Sequence, residues 1–378
     1  MTSSNYDVAV IGGGPAGSAT AFLLARSGLS VLLLEGSDYR APRVGEALSP
    51  QVGSRLVQLG VGGFPNPDMH LAAQGIVSMW GSREPRVNDY LFGLNGAGWH
   101  VDRAMFDRML AQNARKAGAT VRRGSQLLSP PLLTGKHWVF EFACKGQRVA
   151  CSCRFLVDAT GRSAPPWLAH LSHRVVLDRL IAVVWTGKSH SNSQYLAVES
   201  VTDGWFYSAN LPQKQTTIAY MTDSDLYRKS RQRTPSLWRW QLDQTTYARQ
   251  RLAVDADLSK LRIVSAATVI RAQAAGEHWC AVGDAAFSQD PLSGLGVPHA
   301  LESAGHAASA IKAFLERGEL LNSYKSWITR RIQTYLICRA QYYASECRWR
   351  SSPFWERRTP QTFADSSAPE NSSRFASL

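Results

Sequence analysis

The chain has 378 residues, 44% of them hydrophobic, and a formal net charge of +13, a length that fits two associated domains. No window reaches the ~18 uninterrupted apolar residues of a membrane helix, no nucleic-acid motif organises the dispersed basic residues, and the charge suits an anionic cofactor or an acidic protein partner. Six cysteines without paired C-x-x-C spacing read as reduced thiols, with no metal site expected; a strand so near Met1 leaves no room for a signal peptide, and a cytoplasmic location is expected.

Residues 7–35 organise the rest. Val8 to Ile11 is a short apolar run ending at glycines, the pattern of a strand buried on both faces. Gly12, Gly14 and Gly17 follow in G-x-G-x-x-G spacing, with Pro15 and Ala16 inside the turn. The first glycine makes the tight turn, the second lets a pyrophosphate approach the backbone, and the third allows close helix–strand packing. A helix is predicted over 16–26, ended by Gly28, with its free N–H groups and positive dipole end toward the phosphates. A second strand over 31–34 closes at Glu35, whose carboxylate is placed to accept from ribose hydroxyls. These elements in order define a site for the ADP half of a dinucleotide, FAD or NAD.

Arg43-Val-Gly-Glu46-Ala-Leu-Ser-Pro50 then forms a loop before a helix over 51–59. Residues 65–95 read as irregular, with one strand near 75–80. Asp102-Arg103 opens an amphipathic helix over 104–117, with Met105, Phe106, Met109 and Leu110 on its buried face. A short strand at 119–122, a hairpin of 138–144 with 148–153, and a separate buried strand at 154–158 follow. Four successive strands, 180–188, 194–201, 205–211 and 216–221, imply an antiparallel sheet. Next come a helix over 236–251, a single strand over 262–271 and a buried strand over 279–284. A long helix over 297–315 carries Pro298 in its first turn, where proline is tolerated. A basic, aromatic-rich helical segment spans 322–349, and the Ser/Pro/Ala/Asn-rich stretch 359–378 is expected to be disordered.

Gly283-Asp284 closes a buried strand, and Asp290-Pro291-Leu-Ser-Gly294-Leu295-Gly296 leads into the long helix. An Asp at that strand end can accept from ribityl hydroxyls; its alternative role is an ordinary helix cap. A Gly/Pro loop lets backbone N–H groups approach a flat ring, and the helix N-terminus favours negative charge on a reduced flavin. The two glycine motifs together indicate FAD. The expected fold class is α/β: a discontinuous Rossmann-like FAD domain (1–64, 100–172 and 262–321), an antiparallel β-sheet substrate domain (65–99 and 173–261) and a C-terminal helical segment (322–358).

G-G-G-P-A-G at 12–17, D-A-T-G-R at 158–162 and G-D-A-A at 283–286 resemble the FAD-dependent aromatic hydroxylases, flavin-dependent halogenases and geranylgeranyl reductases. That resemblance implies an aromatic-hydroxylase type of FAD domain. It places Asp158, Gly161 and Arg103 among the cofactor-binding residues, Arg103 through the Asp102-Arg103 pair. The stretch 43–50 is similar to the R-x-G-E-x-L-x-P of halogenase-like flavoproteins and puts Arg43 and Glu46 beside the isoalloxazine. Trp205-Phe-Tyr207-Ser-Ala-Asn-Leu-Pro212 stands where halogenases have W-x-W-x-I-P, with Tyr207 in place of the second Trp. Halogenases also need a lysine after the Glu46 region to carry activated halogen, and residues 47–115 contain none.

Tyr342-Tyr343-Ala-Ser-Glu346-Cys-Arg348-Trp349 with Pro353-Phe-Trp355-Glu-Arg357-Arg358 resembles the tail of LodB/GoxB-type flavoproteins, maturation partners of oxidases with tryptophan-derived quinone cofactors. The plainer reading is an aromatic helix with solvated arginines. The resemblance implies an FAD-dependent monooxygenase that uses O2 and hydroxylates a tryptophan in a quinoprotein precursor. Without a second G-x-G-x-x-G, electrons come from NAD(P)H bound transiently or from a separate reductase. Glu46 is then the candidate base toward the indole N–H, or else a partner of Arg43 that shapes the loop. Trp205 and Tyr207 are candidate substrate contacts, with core packing expected for one of them. The rival readings are a small-molecule aromatic hydroxylase, a halogenase-like tailoring enzyme, a geranylgeranyl-reductase-like flavin reductase and a non-catalytic FAD-binding assembly factor.

Overall fold

The computed structural model describes residues 4–66, 69–93, 95–163, 165–229 and 234–358; the tail at 359–378 lies outside them. β1 (Ser4–Ile11), α1 (Pro15–Arg26) and β2 (Val31–Glu35) form the expected strand–helix–strand unit, with Val8 to Ile11 in parallel register with Val31 to Leu34. All of β2 is buried, as a parallel strand covered on both faces must be. The sheet continues from β2 to the edge strand Thr120–Arg123, and on the other side from β1 to the strand Gln147–Asp158. That last strand corrects the sequence reading of two separate strands. Its outer half pairs antiparallel with His137–Cys144, and its inner half pairs parallel with β1 and Trp279–Ala281. No turn residue interrupts the run, so one strand serves both pairings.

The second sheet has seven strands. Leu180–Lys188, Gln215–Asp223, Gly204–Leu211 and Tyr195–Val201 are neighbours in that order, antiparallel as expected. Tyr195–Val201 then pairs parallel with Gly75–Met79, so the sheet is mixed. The 65–95 region, expected to hold one strand, contributes three: His70–Ala73, Gly75–Met79 and Arg86–Asp89.

Two further corrections have identifiable causes. The helix expected over 236–251 is two helices, Thr234–Leu242 and Tyr247–Arg251. The buried carboxylate of Glu199 accepts from the N–H groups of Thr246, Tyr247 and Ala248 at 2.5, 3.0 and 2.7 Å. Those donors are free only at a new helix start. The strand expected over 262–271 is likewise two, Arg262–Ser265 in the seven-stranded sheet and Val269–Arg271 in a small three-stranded one. Between them the chain crosses from one sheet to the other, with Asp178 accepting from the Thr268 N–H at 3.3 Å.

On the helix Arg103–Lys116, Phe106 and Leu110 are buried as expected, whereas Met105 and Met109 are half-buried and Asp107 is fully buried. The long helix Gly296–Arg317 packs on α1. The last long helix ends at Ala344 rather than near Trp349. The segment after it is stapled to the second sheet. Trp355 is buried and donates to Val201 O at 3.0 Å, and Trp80 packs against Trp205, Tyr343 and Trp355. The tail arginines are paired rather than free: Arg358 is 3% exposed and bonds Asp223 at 2.6 Å, Arg348 holds Glu346 at 2.7 Å, and Arg357, though exposed, bonds Asp225 at 2.8 Å. No helix among the described residues is long and apolar enough to cross a membrane.

Candidate active site

β1 delivers the glycine turn. Gly12 has φ +112°, and a Cβ there would lie 2.3 Å from Ala159 O. A Cβ on Gly17 would lie 1.9 Å from Gly12 O, which is the close helix–strand approach that glycine permits. Gly14 faces open space within 4 Å of its ideal Cβ, and it caps α1 without a side-chain hydrogen bond. The helix therefore presents free N–H groups over a cradle with room for a pyrophosphate.

Glu35 holds this turn from behind. Its Oε2 accepts from Gly13 N at 2.7 Å, and its Oε1 accepts from Ser37 N and from Arg43 at 2.8 Å. Oε2 keeps a lone pair for a ribose hydroxyl. Arg43 also bonds Asp107 at 2.7 Å and lies over the Tyr39 ring. Asp107 in turn accepts from Arg103, which donates to the carbonyls of Val44 and Gly45. Asp107 was missed in the sequence; the only trace is its i,i+4 spacing from Arg103 on one helix.

Arg43 and Glu46 thus occupy different places, and the expected alternative of an Arg43–Glu46 pair is not formed. Glu46 is 4% exposed and has no ion pair among the described residues. Its Oε2 accepts from Gly45 N at 2.8 Å and from the Tyr207 hydroxyl at 3.2 Å. Burial raises the Glu46 carboxyl above the usual range against the pull of these bonds and of Arg103. The Tyr207 hydroxyl is pushed well up by burial and by the Glu46 charge.

Across the site, Asp284 bonds Arg162 at 3.0 Å, leaving its second oxygen without a partner among the described residues. Arg162, the last residue of D-A-T-G-R, also donates to the carbonyls of Ala267 and Gln289 and so ties three segments together. Gly294 has φ +61°, and neither it nor Gly296 has any atom within 4 Å of an ideal Cβ. The helix starting at Gly296 has no side-chain cap. Asp290 anchors this loop by accepting from Leu292 N at 2.9 Å and from the Tyr343 hydroxyl at 2.7 Å. Tyr343 also accepts from Trp205 Nε1 at 3.2 Å, joining the C-terminal helix, the substrate-side sheet and the loop.

A cavity of about 1010 Å³ connects these groups. Gly12, Gly14, Pro15, Ala16, Glu35, Arg43, Glu46, Arg103, Gly161, Asp284, Pro291, Gly294, Gly296, Trp205 and Tyr207 all line it. Gly17, Asp158, Gly283 and Leu295 are not among the described residues that line it. Asp158 is 1% exposed, bonded to Arg271 and to Thr160, and shapes the loop rather than facing the cavity. The far wall is the second sheet, with Val184, Val198, Ala219 and Met221 beside Trp205 and Tyr207. Among the described residues, no lysine lines the cavity. The open glycine cradle, two uncapped helix starts and carboxylates at both strand ends fit FAD.

An α/β chain with this cradle and a facing sheet is an FAD-dependent oxidoreductase of the monooxygenase and halogenase-like kind. The chain belongs to the FAD binding domain family, whose model matches residues 5–337. The FAD-dependent oxidoreductase LodB of Marinomonas mediterranea is 30% identical over 363 residues, spanning 94% of this chain and 97% of its own. Among solved structures, the myxobacterial chondrochloren halogenase CndH superposes with a TM-score of 0.82 at 23% identity, covering 96% of this chain and 89% of its own. The peptidyl tryptophan dihydroxylase QhpG superposes with a TM-score of 0.77 at 23% identity, covering 94% and 79%.

Proposed function

We propose that the chain is an FAD-dependent monooxygenase that hydroxylates a protein-bound tryptophan during biogenesis of a quinone cofactor in a partner oxidase or dehydrogenase. The observation that carries the reading is the junction of the cradle with an aromatic, apolar sheet face at Glu46 and Tyr207, in a cavity with no lysine on its wall. The likeness to LodB in sequence supports it. The shared fold with QhpG, a peptidyl tryptophan dihydroxylase essential for tryptophylquinone cofactor biogenesis, is compatible with it.

Bound FAD supplies oxygen-transfer chemistry, with O2 as co-substrate and electrons from NAD(P)H or a reductase. The chain supplies position and protons. Gly14, the α1 N-terminus and Glu35 hold the ADP half, while the loop 290–296 and Asp284 hold the flavin half. Val184, Val198 and Met221 exclude water from an indole seated against Trp205 and Tyr207. Glu46 Oε1, the oxygen not taken by Gly45 N and Tyr207, is the base for the indole N–H, and the raised pKa of the carboxyl brings it nearer the operating pH of a general base. Tyr207 and Gly45 N hold the other oxygen, Oε2, and so orient the carboxylate.

A wall without lysine favours oxygenation over halogenation, since no ammonium is there to carry activated halogen. The test is incubation of the purified holoprotein with a candidate quinoprotein precursor, reductant and O2, followed by peptide mass mapping. A gain of one or two oxygens on a tryptophan peptide is expected. Oxygen or halogen added only to small aromatic compounds would overturn the protein substrate.

A further inference from the structure

A second concavity, of about 510 Å³, lies outside the cofactor cavity. Its rim carries Arg108, Arg115, Arg122, Arg123 and Lys145, and no acidic residue among the described ones lines it. Arg108 and Arg115 are seven residues apart on the helix Arg103–Lys116 and share a face. Arg122 and Arg123 end the strand Thr120–Arg123, and Lys145 sits in the turn of the neighbouring hairpin. All five are exposed, and among the described residues none makes an ion pair or a side-chain hydrogen bond. Five like charges around one hollow repel each other, and an anionic occupant relieves that repulsion.

We infer that this groove docks an extended, acidic segment of a partner protein. Two features favour a polypeptide over a nucleotide. The strand Thr120–Arg123 is the sheet's edge and, among the described residues, pairs with β2 alone; Arg123 O accepts from Cys144 Sγ, and the other outer backbone groups remain open to a peptide strand. The cations all sit on long, exposed side chains, with no uncapped helix start or exposed aromatic face to seat a phosphate and a base; the one lining aromatic ring, Tyr39, is buried and bonded to Gly13 O. Gln112 and Gln147, both exposed, add neutral donors to its lining. Tyr39 also links the groove to the glycine turn, so a protein held here lies beside the cofactor cavity. The inference rests on the protein-substrate reading and names where that partner is gripped.

The test uses the FAD-loaded full chain and a fluorescein-labelled oligoglutamate peptide, read by anisotropy at low and high salt. Binding is expected to weaken with salt. The Arg122→Glu/Arg123→Glu variant is expected to lose about tenfold or more in affinity. The Lys325→Glu/Arg330→Glu variant carries the same charge change on exposed positions of the last long helix, and is expected to stay within about twofold. Flavin content is expected to be equal in all three. Equal loss in both variants would assign the binding to overall charge and overturn the groove. Displacement of the peptide by NADP+ at sub-millimolar concentration would overturn it in favour of a dinucleotide site. Precursor oxidation separates this inference from the functional reading. Peptide binding at the groove without precursor oxidation leaves the groove standing and sinks the function. Oxidation with an unchanged KM in the Arg122/Arg123 variant does the reverse.

Discussion

Tyr343→Phe isolates one oxygen atom. The Tyr343 hydroxyl accepts from Trp205 Nε1 at 3.2 Å and donates to Asp290 Oδ2 at 2.7 Å, and the three side chains are 2%, 1% and 1% exposed. Removing the oxygen leaves a buried indole N–H unpaired, at about 1–3 kcal/mol, and takes a donor from a buried carboxylate, at about 1.5–3 kcal/mol. The ring itself stays: its contacts with Trp80 and Trp355, both at 5.9 Å, do not depend on the hydroxyl. Asp290 also keeps Arg339 at 3.4 Å, which trims the second loss. The net expectation is a destabilisation of about 2–4 kcal/mol. Urea unfolding should show a lower midpoint with an unchanged slope. The holoprotein should also release FAD more readily, because the loop anchored by Asp290 lines the cavity. A cycle with Trp205→Phe should give a coupling of about 0.5–3 kcal/mol. A Tyr343→Phe loss under about 0.5 kcal/mol, or strict additivity with Trp205→Phe, would refute a load-sharing role for this hydroxyl.

Gly17→Ala places a Cβ 1.9 Å from Gly12 O, a backbone atom that cannot swing away, so α1 must shift. A cost of about 1–3 kcal/mol and a lower flavin-to-protein absorbance ratio after purification are expected. Gly14→Ala meets no protein atom and should fold normally while still retaining less FAD. Glu46→Gln has a pH signature. Burial raises the folded-state pKa of Glu46, so its stabilising contribution is complete below the ordinary glutamate value of about 4.3 and is lost as pH rises through the higher folded value. The Gln variant escapes that loss: its thermal midpoint should match the wild type at low pH and exceed it increasingly toward neutral pH. If Glu46 is the base, wild-type hydroxylation rises with pH through the same raised value, and the variant binds FAD but hydroxylates poorly. Full hydroxylation by Glu46→Gln with bound FAD would remove Glu46 from the mechanism.

The dinucleotide turn was legible from residue types alone because its demands are local. Gly12 and Gly17 stand where any Cβ collides with backbone, and Glu35 closes a strand within one βαβ unit. The second motif at 283–296 was readable for the same reason, a strand end followed by glycines and a helix start. What the residues do to one another across the chain was not. Nothing in R-x-G-E told that Arg43 turns to Glu35 and Asp107 while Glu46 turns to Tyr207, because those partners lie up to 161 residues away. The break at 243–246 was hidden because its cause, the Glu199 carboxylate, sits on another element. Arg357 and Arg358 looked solvated because their carboxylates, Asp223 and Asp225, belong to the second sheet and the short helix that follows it. Local backbone geometry is written in neighbouring residues, and so the sequence by itself determined the cofactor cradle and its class. Long-range pairing depends on which faces pack together, and so only the tertiary structure decided how Glu46, Tyr207, Trp205, Tyr343 and Asp290 are joined around one cavity.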